Sequence, residues 1–336
     1  MTPPACAALG TILGAFLTLS ATPPASAECV GRNLFSDKSS APVAEELERK
    51  ASTMPFREGR FWKISRDGMT PSYLYGTLHV SDPRLATLPP VVAGRVAQAA
   101  IVAVETTDVS SLGVGRLDAK SRGDLQESIR AAPERRAEKL LDPQDYAALK
   151  RLAKERGVPN SGARTWKAAT LAVMLDSPAC AKEASFNQAY LDAQVARLAR
   201  DRGIELIGLE TLIEQFSALD GLSPEIERAL LLSVLRQSPY AKDAVETQIA
   251  RYLERDAAGV VALMRLGPVP GDLEARTPPE FLDRLLDART KRMAERLLPL
   301  LVRGNAVVAV GIAHLPGRNG LLAALERSGY TAVPVD

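Results

Sequence analysis

The chain has 336 residues, 46% of them hydrophobic and 24% charged, enough for one large domain or two small ones. Its 42 basic residues nearly cancel its 40 acidic ones, and a net charge of +2 excludes the broad basic footprint that nucleic acid demands. The two signs alternate, as in LERKAS and ARTKRMAERL, which is the pattern of solvated helix faces.

The first 27 residues contain no charged side chain. An apolar run from Ala7 to Leu19 leads to Ala25-Ser26-Ala27, the A-x-A pattern of signal-peptidase cleavage, so the mature chain is expected to begin at Glu28. The run is too short for a membrane span, and no later segment reaches 18 apolar residues. Glu28 directly before Cys29 argues against a lipoprotein. The expected location is the periplasm or the exterior. Cleavage removes Cys6 and leaves Cys29 and Cys180, which in an oxidising compartment suggest one disulfide. Two free buried thiols are the alternative.

After a short helix predicted over Glu45–Ala51, FWKIS, the turn RDG and SYLYGTLHV read as a hairpin of two apolar strands. Pro89-Pro90 opens a helix that leads into AIVAVE, a β-branched buried strand. From Asp118 to Arg202 the pattern is helical, with Asp142-Pro143 starting one helix and Ser185 capping another that ends at Gly203. IELIGLE is a further strand, Ser223-Pro224 starts the next helix, and PPEFLDRLLDARTKRMAERLLPLLV reads as one long amphipathic helix. The C-terminal NAVVAVGIAHLPGRNGLLAALERSGYTAVPV reads as a βαβ unit with Gly329 closing its helix. The expected fold is α/β, a central mixed sheet with flanking helices. One domain over residues 28–336 would carry a large helical insertion, about 118–303, with one core strand near 204–209.

The mature chain has two histidines, and both stand in the same setting. GTLH (Gly76 to His79) and GIAH (Gly311 to His314) each follow an apolar strand. A glycine there allows a sharp bend or a close approach, and the imidazole then projects from the strand's carboxyl end. AIVAVE ends on Glu105 and IELIGLE on Glu210, so four predicted strands deliver His79, Glu105, Glu210 and His314 to the edge where α/β sheets bind ligands. Two imidazoles and a carboxylate suit a catalytic divalent metal with room for water. Glu210 is then a further ligand, a partner behind the ligands, or the general base. Taken singly, each of these residues has a plainer explanation: a hydrogen-bonding histidine at a strand end, a solvated carboxylate, a carboxylate favouring a helix N-terminus. No G-x-S-x-G, Walker A, G-x-G-x-x-G, H-E-x-x-H or C-x-x-C motif is present.

FWKIS, SYLYGTLHVSDPR, VETTD, GIELIGLETLIEQ and VAVGIAHLPGRNGLLAALERSGYTAV, in that order between about Cys29 and Val335, resemble the TraB/GumN family, which includes the Wnt-inactivating TIKI proteases. The resemblance implies an α/β fold related to erythromycin-esterase-like and haem-binding ChaN-like proteins. For the TIKI branch it implies metal-dependent peptide cleavage by the two G-x-x-H histidines and a glutamate. Carried over, these are His79, His314 and Glu105, holding Mn, Co or Zn and acting on a peptide or small-molecule substrate. The other reading is a periplasmic protein without catalysis that binds a metal, haem or small ligand, or regulates. Members often carry Arg-Asn in the long helix before the second motif, where this chain has Arg289-Thr290.

Overall fold

A computed structural model describes residues 30–37, 41–80, 82–108, 118–178, 180, 190–269 and 275–336. The expected signal segment, its cleavage site, Cys29 and the Ser185 cap lie outside the described residues. Within them the architecture is α/β. Six strands form one mixed sheet: β1 (Phe61–Ser65), β2 (Ser72–Thr77), β3 (Ile101–Val104), β4 (Glu205–Gly208), β5 (Ala306–Gly311) and β6 (Thr331–Pro334), in spatial order β4-β3-β5-β2-β1-β6.

The four strands β4, β3, β5 and β2 run parallel. Every residue of β2 and β3 is buried, as is β5 up to Gly311, which explains why these segments read as unbroken apolar runs rather than alternating ones. Parallel pairing also brings the carboxyl ends of β2 to β5 to one edge. The antiparallel strands β1 and β6 complete the far side, with Phe61 opposite Tyr75 and Lys63 opposite Val333.

The C-terminal βαβ unit proves to be a split one. Its helix, Leu321–Arg327, crosses from β5 to β6, but the β2–β1 hairpin lies between those strands. Burial explains the order. The wholly buried β2 needs a partner on both sides, whereas β6 is largely exposed and ends in Pro334, which suits an edge.

The segment read as one long helix is interrupted. Pro279–Leu282 is α-helical, Asp283–Ala288 is a wide π turn, and Arg289–Arg303 is α-helical again. Phe281 and Leu282 bury into a cluster with Leu219, Leu222 and Leu230, while Met293 and Leu297 bury into the main core on the sheet. The extra residue in the π turn rotates one half against the other, so both apolar faces are satisfied.

Helix boundaries follow local chemistry. Asp142 accepts the backbone N–H groups of Gln144 and Asp145 (both 2.9 Å), and Ser223 accepts that of Ile226 (3.3 Å). The helix Leu191–Asp201 lies on the sheet through Leu191, Val195, Ala196 and Ala199. A second core, built from Leu149, Leu171, Leu175 and Leu231, belongs to the helices of the middle segment. Among the described residues, no helix is long and apolar enough to cross a membrane.

Candidate functional site

The sheet brings the four residues singled out at strand ends to one edge. His79 and Glu105 follow β2 and β3, Glu210 follows β4, and His314 ends the single 3-10 turn Ile312–His314 after β5. The ladder between β3 and β4 continues past the strands. Leu209 N–H donates to Val104 C=O at 2.9 Å and Glu210 N–H to Glu105 C=O at 2.7 Å, which fixes the two glutamates side by side.

Gly311 lies at the centre of the arrangement. Its N–H donates to Glu105 Oε1 at 2.7 Å. A Cβ there would stand 3.0 Å from that oxygen, 3.7 Å from His314 Cδ2 and 3.8 Å from His79 Cε1. Its φ of −53° suits any residue, so the requirement is for space. Gly76 makes room for something else. A Cβ there would meet Leu315 Cδ1 at 2.7 Å and Ile312 Cγ1 at 3.0 Å, so the first motif's glycine accommodates the second motif's turn.

Arg289 is the buried cation of the site. It donates to Glu105 Oε2 at 2.8 Å and to Glu210 Oε2 at 2.9 Å, buried among all three side chains. Arg292 takes the other Glu210 oxygen at 3.1 Å, and Arg296, one turn on, pairs with Glu214. Both Glu210 oxygens are therefore spent on arginines, which makes this residue the anchor of Arg289. Burial pushes Glu210 upward from the ordinary carboxylate range, against Arg289. Burial acts on Glu105 in the same sense. There Arg289, the two histidines and the Gly311 N–H outweigh it and hold the carboxylate well below its usual range.

The two imidazoles differ. His314 is buried, and burial lowers its pKa to about 4, so the ring is neutral. Its Nδ1 lies 2.7 Å from Thr290 Oγ1, and that hydroxyl is also 2.7 Å from Leu286 C=O, which only accepts. The single hydroxyl hydrogen goes to the carbonyl, so Nδ1–H donates to Thr290. Nε2 is left with its lone pair, 3.8 Å from Glu105 Oε1. Thr290, the departure from Arg-Asn, thus sets the tautomer of His314.

His79 is half exposed, with Nε2 at 2.9 Å from Asp192 Oδ2. Asp192 raises its pKa to about 9, against the effect of burial, so the free ring is cationic at neutral pH. The other Asp192 oxygen accepts from Thr77 Oγ1 at 2.8 Å, so one carboxylate touches both polar side chains of GTLH.

The site's chemistry can be tested against a divalent cation. An uncharged Nε2 and an anionic Oε1 face one another with no proton between them, beside a position that a Cβ would fill and that holds none. These are donors and space of the kind a cation needs. Among the described residues, however, no three His, Cys, Asp or Glu side chains already meet as a metal cluster. Two donors are in place, and His79 is drawn aside toward Asp192.

A family model of the TraB/PrgY/gumN family matches residues 60–334, from the start of the hairpin to the last strand. The chain belongs to the TraB/PrgY/gumN family. No curated protein and no solved structure matches it. In this TraB/PrgY/gumN chain the G-x-x-H pair and Glu105 converge on one edge. Sequence reasoning passed over Asp192 and the ion pairs of Arg289. Arg289 had a legible signal: it stands on the buried stripe of its helix with Met293 and Leu297, where a charge needs a partner. Asp192 had only its place in the first turn of an amphipathic helix, an ordinary position for a carboxylate.

Proposed function

We propose that the protein is a metal-dependent hydrolase, exported from the cytoplasm, that cleaves a peptide bond at the edge formed by His79, Glu105 and His314. The observation that carries the reading is that Glu105 Oε1 and a ring carbon of each motif histidine all lie within 4 Å of where a side chain on Gly311 would begin. Glu105 is held anionic by Arg289, and His314 is held neutral with Nε2 presented by Thr290. His79 would give up its ring proton to offer a nitrogen there. Glu210 keeps Arg289 in register and so keeps Glu105 aimed. His79, Glu105 and His314 would hold a divalent cation such as Mn, Co or Zn, which would supply Lewis-acid activation of a water and of the substrate carbonyl. Peptide specificity is carried over from the family resemblance.

The test is metal content and peptide-library turnover of the purified mature protein, beside His79→Ala and His314→Ala. The expected result is metal-dependent cleavage in the parent, with metal and activity lost in both variants. Full metal retention in both variants overturns the proposal. The second reading, ligand binding without catalysis, is favoured by one observation: no three donors meet as a ready metal cluster among the described residues. Stoichiometric metal uptake without turnover would decide for it. The proposal includes maturation at Glu28 and a Cys29–Cys180 disulfide, both read from the intact mass of exported protein before and after reduction.

A further inference from the structure

Each motif histidine has one ring nitrogen against a protein oxygen, but the two contacts are of different kinds. His314 Nδ1–H donates to Thr290, a hydrogen bond that completes both groups. The contact of His79 Nε2 with Asp192 Oδ2 is short, 2.9 Å, yet Oδ2 is buried and has no aligned hydrogen-bond donor. The two atoms sit side by side without an N–H directed from one into the other. A buried carboxylate oxygen that has a cation beside it but no donor aimed at it is incompletely satisfied, and such atoms in native folds call for an explanation.

We infer that Asp192 is a ligand of the same cation as His79, so that the site is a two-histidine, two-carboxylate one: His79, Asp192, Glu105 and His314. The inference rests on the metal-dependent reading above and specifies the ligands of that site. Two donors about 2.1 Å from one cation and at right angles are about 3 Å apart, without pointing a hydrogen at each other. The His79–Asp192 contact has that separation and that lack of alignment. Asp192 is also fixed in place. Oδ1 is tied to the buried Thr77, the last residue of β2, and the backbone belongs to a helix whose Leu191, Val195 and Ala199 are locked into the main core.

The geometry then divides into two pairs, His79 with Asp192 at 2.9 Å and His314 with Glu105 at 3.8 Å, and both rings and Glu105 have an atom beside Gly311. Glu210 is outside the set because arginines take both its oxygens. An Asp192 that only held His79 in position would be expected to accept an aligned N–H, as Thr290 does from His314, and it accepts none.

The experiment is a Co(II) titration of the metal-free mature protein, followed by calorimetry and by the visible ligand-field spectrum. The parent is compared with Asp192→Asn, Asp192→Ala and His314→Ala. Asn keeps the shape and the acceptor for Thr77 while removing the charge. The expected result is Co(II) affinity lowered by at least about 10–100-fold in both Asp192 variants, with ligand-field bands changed in position and intensity. Parent-like affinity and spectrum in Asp192→Asn, with binding abolished in His314→Ala, would overturn the assignment of Asp192 and leave the hydrolase reading standing. Weakened binding with an unchanged spectrum would also overturn it, making Asp192 a positioning residue. A parent that takes up neither Co, Mn nor Zn removes the metal-dependent reading itself.

Discussion

GTLH and GIAH are the same four-residue device, and they leave their histidines in opposite states. His314 is buried, uncharged and fixed by a hydroxyl, while His79 meets solvent over half its side chain and is cationic beside Asp192. The shared pattern of strand, glycine and imidazole sets where the ring stands. Burial and the facing oxygen set what charge it carries. A motif match therefore predicts position more securely than ionisation.

The largest test of this contrast strikes the charge balance behind it. Arg289→Met leaves Glu105 and Glu210 buried with much of their compensation gone, and should cost about 3–5 kcal/mol in urea unfolding. A loss under 1 kcal/mol would mean that the arginine is not what holds these carboxylates.

Next comes pH, read on metal-free protein. His314 titrates near 4 in the fold against 6.5 when free, so the unfolded chain takes up the proton first. Its contribution is complete above pH 6.5 and drains away as the pH falls toward 4, on the order of 3 kcal/mol. His79, raised to about 9, contributes fully below pH 6.5 and loses that contribution as the pH rises through 9. Its share is smaller, because the water around a half-exposed ring screens the pair. Stability against pH should therefore lean both ways, with His314→Ala flattening the acid side and His79→Ala the alkaline side. Equal slopes in all three proteins would erase the contrast.

The smallest effect separates the two glycines. Gly76→Ala presses on Leu315 and Ile312 and should cost about 1–3 kcal/mol. Gly311→Ala presses on Glu105 Oε1, where the side chain can yield. It should leave unfolding within about 1 kcal/mol of the parent while weakening Co(II) uptake. The reverse pattern would place the open gap at the wrong glycine.

Much of the fold was legible because parallel, buried strands write themselves as apolar β-branched runs. IVAV and AVVAVG carry no other reading of similar quality. The strand-end residues were legible for the same reason, since topology delivers them to one edge. Strand order was not, because nothing within β5 or β6 says that another hairpin comes between them. The π turn was hidden because Phe281 and Leu282 serve one cluster and Met293 and Leu297 another, and apolar spacing alone suggests a single face. Asp192 reaches the site from a helix whose own sequence is explained by its packing.

The position of β5 also fixes an order of events. It lies between β3 and β2, whose residues precede it by some two hundred positions; Tyr73 pairs with Val307 and Ile101 with Ala306. Until that strand arrives, the His79 and Glu105 strands have no common neighbour and Gly311 is not there to receive the carboxylate. Such distant pairings are entropically slow to close. The contacts of His79 with Asp192 and of Arg289 with the two glutamates need no residue of β5, but the meeting of both motif histidines with Glu105 at Gly311 does. β5 is the strand that joins the two halves of the site.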